Sequence, residues 1–166
     1  MEIVCLDTHI LVWGIKKDAT NGQEHMVPLA QSFIKALGED KNIRVMVPSV
    51  VVGELLMRVP PEKHEEINRL FYSRFMVPSY DIAAASCFAR IWQAKKSVLA
   101  QIKEDFPDST REELKADCQI VAIAVTHGAR CIYSYDDKLT KFADGYIEVR
   151  KMPEVVEQLS VVFPTT

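Results

Sequence analysis

Ile3-Val4-Cys5-Leu6-Asp7 is the stretch that decides the fold. Four apolar residues stop abruptly at a carboxylate, which reads as a buried strand with an acid at its carboxyl end. Thr8 to Lys17 follows with Ile10, Leu11, Trp13 and Ile15, a helical rather than an extended pattern. A buried strand running directly into a helix is the first unit of an α/β sheet, and in parallel sheets ligands bind at the carboxyl edge. Asp7 is therefore placed where chemistry is done.

Working outward, Asn21-Gly22 breaks the chain and Gln23 to Leu37 carries Met26, Leu29, Ala30, Phe33, Ile34 and Leu37 at helical spacing. Ile43 to Val47 reads as a second strand, stopped by Pro48. Ser49 is placed to cap a helix reaching about Arg58, and after Pro60-Pro61 a further helix covers Glu62 to Phe75. Met76 to Pro78 reads as a short edge strand, and Asp81 opens one long helix to about Glu104. Ser109 with Glu112, and Thr110 with Glu113, both have capping-box spacing for a helix ending at His127-Gly128. Arg130 to Tyr133 and Tyr146 to Val149 complete the strands. Strands alternating with helices predict an α/β fold: a three-layer α/β/α sandwich around a mainly parallel sheet.

Residues 1–166 with 48% hydrophobic content suit a single domain with a sizeable core. Twenty basic against 23 acidic residues leave a net charge of −3, which excludes a generally basic nucleic-acid coat but not a local basic rim. Cys5, Cys87, Cys118 and Cys131 are widely spaced and show no C-x-x-C, so no zinc ribbon or thioredoxin-like site is indicated. Reduced thiols in apolar stretches, a start without a basic n-region, and no apolar run near the ~20 residues of a membrane span predict a cytoplasmic protein with no membrane association.

Acid placement carries the functional information. Asp136 follows Cys131-Ile132-Tyr133-Ser134-Tyr135 and reaches the same sheet edge as Asp7. Glu54 is the one charge in Val50-Val51-Val52-Gly53-Glu54-Leu55-Leu56, and Asp117 shares a helical face with Ile120, Val121 and Ala124. A buried carboxylate is unfavourable by several kcal/mol unless paired or metal-bound, and four together raise one another's pKa. A divalent cation removes both difficulties. Oxygen-only donors favour Mg²⁺ or Mn²⁺ over zinc, and two such ions about 4 Å apart hydrolyse phosphodiesters. Each acid also has a plain reading: Asp7 as a helix cap, Glu54 paired with Arg58, Asp117 as a satisfied polar residue, and Asp136-Asp137 as a turn.

Val4-Cys5-Leu6-Asp7-Thr8-His9-Ile10-Leu11 resembles the opening block of a PIN domain. Pro48-Ser49-Val50-Val51-Val52-Gly53-Glu54-Leu55-Leu56 is similar to its second block, Asp117 to Ala124 with His127-Gly128-Ala129 to its third, and Ser134-Tyr135-Asp136 to its last. The resemblance runs over residues 1 to about 150. It implies a metal-dependent ribonuclease in which Asp7, Glu54, Asp117 and Asp136 are the metal-binding and catalytic acids, with Thr8 and Ser134 as small hydroxyl residues beside them. Many family members are VapC-type toxins that cleave RNA and are held by a small antitoxin protein; others act on RNA without one. Three departures stand out. Residues 81–112 are longer than compact toxins need and suit a lid, clamp or dimer surface. Leu139 stands where an aromatic is common, and the adjacent Asp137 is available to share the role of Asp136.

The expectation is a PIN-like hydrolase acting on RNA, with a homodimer as the commonest soluble assembly. The rivals are a non-catalytic metal- or RNA-binding PIN-like module and a phospho-acceptor domain using Asp7 as nucleophile. His9 reads as a surface residue near the site. Trp13, Trp92, Phe33, Phe71 and Phe88 read as core, while Lys16-Lys17, Lys95-Lys96 and Lys138 with Lys141 are basic pairs available to phosphates.

Overall fold

The computed structural model describes residues 1–154, so the final part of the expected 1–166 domain lies outside the described residues. Its centre is a four-stranded, all-parallel sheet of β1 (Glu2–Leu6), β2 (Ile43–Met46), β3 (Cys131–Tyr133) and β4 (Glu148–Arg150), in the order β2-β1-β3-β4. The helices are α1 (Thr8–Leu11, continued by a π-helical turn at Val12–Lys16), α2 (Met26–Glu39), α3 (Ser49–Leu56), α4 (His64–Arg74), α5 (Ile82–Ala94), α6 (Lys96–Asp105), α7 (Arg111–Thr126) and α8 (Asp137–Ala143). This is the expected PIN-like α/β/α arrangement.

Chain direction explains the layers. The crossover from β1 to β2 moves one way across the sheet, and those from β2 to β3 and β3 to β4 move the other way. Right-handed crossovers then put α1 and α2 on one face and α7 and α8 on the opposite face. The reversal between β1 and β3 is a switch point, where the loops leave the carboxyl edge in opposite directions and open a crevice. Val4, Cys5 and Leu6 are fully buried between the layers. Phe33 of α2 packs edge-on against Tyr133 of β3 with ring centroids 4.7 Å apart, and Phe142 of α8 stacks on Trp92 at 5.9 Å.

Several local expectations are corrected. The helix expected from Asp81 to Glu104 breaks at Lys95, although no Gly or Pro marks the place. Lys95 Nζ donates to the Asp144 carbonyl at 2.8 Å, so a tertiary contact holds the corner and α6 turns to pack on α8. Ser49 is the first helical residue of α3 rather than its cap; its N–H donates to the Pro78 carbonyl at 3.0 Å, which satisfies a donor the helix start leaves open. Met76 joins the sheet by a single parallel bridge to Met46 instead of forming a strand. Of the two capping boxes, Thr110 with Glu113 forms.

Candidate active site

Asp7 ends β1 at the switch point and is 4% exposed. Both of its oxygens are engaged: Oδ1 accepts from the Thr8 N–H at 2.7 Å and Oδ2 from Ser134 Oγ at 2.6 Å. The cap reading of Asp7 is thus correct, and it coexists with a place in the cleft. Burial pushes the Asp7 carboxyl up from its ordinary range, the Ser134 and Thr8 hydrogen bonds pull it back, and nearby Asp136 pushes it up again. With both oxygens bonded and little exposure, Asp7 is poorly presented as a nucleophile, which weighs against the phospho-acceptor rival.

Ser134 also accepts from the Asp136 N–H at 3.0 Å, so one hydroxyl ties the ends of β1 and β3 together. Asp136 caps α8, with Oδ1 accepting from the N–H groups of Lys138 and Leu139 at 2.8 and 3.3 Å. Its Oδ2 lies 3.8 Å from Lys138 Nζ. Leu139 is fully buried, so packing decides that position while its amide completes the cap. Asp137, the first residue of α8, is exposed and does not line the cleft.

Glu54 faces the same crevice from α3, where its carboxylate accepts from Thr8 Oγ1. No salt bridge joins it to Arg58 among the described residues. Burial raises its pKa, the Thr8 bond opposes this, and Asp7 adds to the rise. Asp117 projects from α7, and its Oδ2 is buried with no hydrogen-bond partner among the described residues. Its pKa is pushed up to about 8, first by burial and then by Asp136 and Asp7, with Lys138 opposing.

The four acids line one cleft of about 300 Å³ together with Thr8, His9, Met57, Arg58, Glu113 and Lys138. Larger cavities elsewhere, including one of about 690 Å³ beside α2 and α4, contain none of them. His9 is exposed, as read from the sequence, but it borders the acids with its ring 5.9 Å from Trp13. Glu113 joins the cleft as well, and its one sequence signal is its position a helical turn before Asp117. Arg58 and Met57 sit at the end of α3, and only the shared cavity reveals their place.

The donor set bears on whether a cation fits. Among the described residues no three acids are already closed into a metal-ready cluster. Asp7 spends both oxygens, and Asp136 one, on strand-end and cap bonds. What the four acids offer is an all-oxygen set, with an Asp117 oxygen orphaned among the described residues. Hard divalent cations take such donors, and a cation removes the penalty for that orphan. The residues present fit the group.

The model of the PIN domain family matches residues 4–145 of the chain. Among solved structures, the chain is similar to one in the crystal structure of VapBC2 from Rickettsia felis bound to a DNA fragment from their promoter. The TM-score is 0.60 at 15% identity, covering 91% of this chain and 99% of that one. At that identity the likeness is one of fold. Comparison with curated proteins finds no match. The family match spans every strand-end and helix that supplies the cleft's acids, from β1 through α8, and the chain belongs to the PIN-domain family.

Proposed function

We propose that this chain is a divalent-metal-dependent endoribonuclease, using Mg²⁺ or Mn²⁺, and the toxin of a toxin–antitoxin pair. One observation carries the reading: a buried Asp117 oxygen, unpartnered among the described residues, in a cleft that also collects Asp7, Glu54 and Asp136. Family membership supports phosphodiester hydrolysis, and the VapBC2 likeness supports an antitoxin partner. We also take the whole chain as one PIN-like domain acting in the cytoplasm as a homodimer.

In this reading Asp7, Glu54, Asp117 and Asp136 hold the metal. When bound, it supplies a nucleophilic water at neutral pH and neutralises charge on the leaving oxygen. The chain's own hydroxyls orient the acids, Ser134 through Asp7 and Thr8 through Glu54. Lys138 stands beside Asp136 and offers its ammonium to a phosphate. α1 and α3 pack together and wall the site on one side, while α7 and α8 do so on the other.

The test is cleavage of a pool of structured and single-stranded RNA with Mn²⁺, Mg²⁺ or EDTA, using wild type and Asp7→Asn purified identically. Metal-dependent cutting lost in the variant is expected. Binding of RNA without cutting, across several divalent metals, would favour the non-catalytic module. Copurification of a small protein expressed with the chain in its source cell tests the antitoxin.

A further inference from the structure

His64, the first residue of α4, closes a loop that begins at the end of α3. Its Nε2 lies 2.9 Å from the Leu56 carbonyl oxygen and 2.9 Å from that of Val59. A ring nitrogen between two acceptors is the protonated one, so a single N–H is shared by both oxygens. The Leu56 carbonyl also accepts from the Val59 N–H at 3.1 Å. Leu56 and Val59 are therefore tied to each other and to the imidazole, and Pro60-Pro61 stiffens the return to α4.

Between the two tied residues stand Met57 and Arg58, and both line the acid cleft. Val59 is turned inward at 8% exposure, whereas Met57 is 82% exposed and Arg58 is exposed as well. The backbone is thus pinned on either side of two side chains that face out beside the acids. Arg58 forms no ion pair among the described residues, although Glu54 lines the same cleft. Its charge still reaches Glu54, where it opposes the rise that burial imposes on the carboxyl. A guanidinium left unpaired beside carboxylates is placed for an anion that enters from outside, and its fork of N–H groups matches a phosphate. Arg58 would meet such an anion from the α3 wall, and Lys138 from the α8 wall.

We propose that Arg58 takes a phosphate of the RNA at the mouth of the acid cleft, and that His64 is the positioning residue that holds Arg58 there. This rests on the ribonuclease reading and adds two residues to the same site. A helix cap alone would need only the open carbonyls of α3 to be satisfied. The second bond, to Val59 beyond the helix, is the one that fixes the loop carrying Arg58. A loop ordered in advance is not ordered at the moment of binding, so loss of His64 acts on substrate affinity.

The test joins amide exchange to a double-mutant cycle. Wild type, His64→Ala, His64→Gln, Arg58→Gln and the double variant His64→Ala with Arg58→Gln are first melted to confirm that each is folded. The N–H groups of Met57, Arg58 and Val59 donate to the carbonyls of Gly53, Leu55 and Leu56, so their exchange reports the loop. Exchange there should quicken in His64→Ala and slow again in His64→Gln, whose amide offers one N–H to each carbonyl. Kinetics use an oligoribonucleotide from the mixed pool that wild type cuts with Mn²⁺. Arg58→Gln should raise KM about tenfold with kcat little changed, the size of one charge-assisted hydrogen bond. His64→Ala should raise KM severalfold, His64→Gln should restore it, and the double variant should be no worse than Arg58→Gln. Equal losses from His64→Ala with and without Arg58, or unchanged exchange in the loop, overturn the proposal. Failure of the ribonuclease reading is seen separately, as wild type that cuts nothing in the pool with Mn²⁺, and the role given to Arg58 falls with it.

Discussion

Ser134 Oγ and Asp7 Oδ2 lie 2.6 Å apart although 127 residues separate them in the chain. The bond joins the ends of adjacent parallel strands at the switch point of the sheet, and it fixes the rotamer of the most buried acid. Ser134→Ala should therefore lower metal affinity or turnover by about 10- to 100-fold, as loss of an orienting partner does. Ser134→Thr, which keeps the hydroxyl, should restore most of it. Steady-state cleavage and Mn²⁺ titration check both variants.

Asp117 predicts a pH dependence of stability without metal. Its folded pKa, about 8, lies above its ordinary value of 3.8. The folded state therefore holds a proton that the unfolded chain has released. This contribution is fully present below about pH 4 and is lost as pH rises through about 8. In EDTA, Asp117→Asn should melt higher than wild type at pH 8.5, with the gap closing towards pH 4. Saturating Mn²⁺ should reverse the order, because only the wild-type carboxylate rewards the cation. Melting curves across pH, with and without metal, test the sign.

Asp136 has two roles that substitution can separate. Asn is as good a helix cap as Asp, whereas Ala removes the cap and destabilises by about 1 kcal/mol. Asp136→Asn should keep the melting temperature and lose activity; Asp136→Ala should lose both. Equal activity in wild type and the Asn variant would assign Asp136 to capping alone.

Lys138→Gln should raise KM more than it lowers kcat, since its ammonium faces the cleft from beside the acids. The salt dependence of binding should weaken by about 0.7 in the log–log slope, the share of one phosphate contact on a single strand. An unchanged slope would place Lys138 outside the RNA path.

The parts of this protein legible in its sequence are those that burial dictates. Asp7 at the end of an apolar strand, and Glu54 and Asp117 on apolar helical faces, are conspicuous because a charge there needs an explanation. Glu113, Arg58 and Met57 carry no such signal, since exposed residues at helix ends are ordinary until the fold brings them to one rim. The break at Lys95 was hidden for a related reason. It depends on a carbonyl 49 residues away, not on a local breaker. Ser49 has the right residue type for a cap, but the helix begins one residue earlier than that reading needs, with Pro48 as its extended flanking residue and Ser49 already helical.

The most direct test of the account is RNA cleavage by wild type and Asp117→Asn at pH 8, with Mn²⁺ and with EDTA, alongside their metal-free melting curves. The account predicts that wild type cuts only with metal, and that the variant does not cut while melting at least as high in EDTA. Cleavage by the folded variant at the wild-type rate would contradict it.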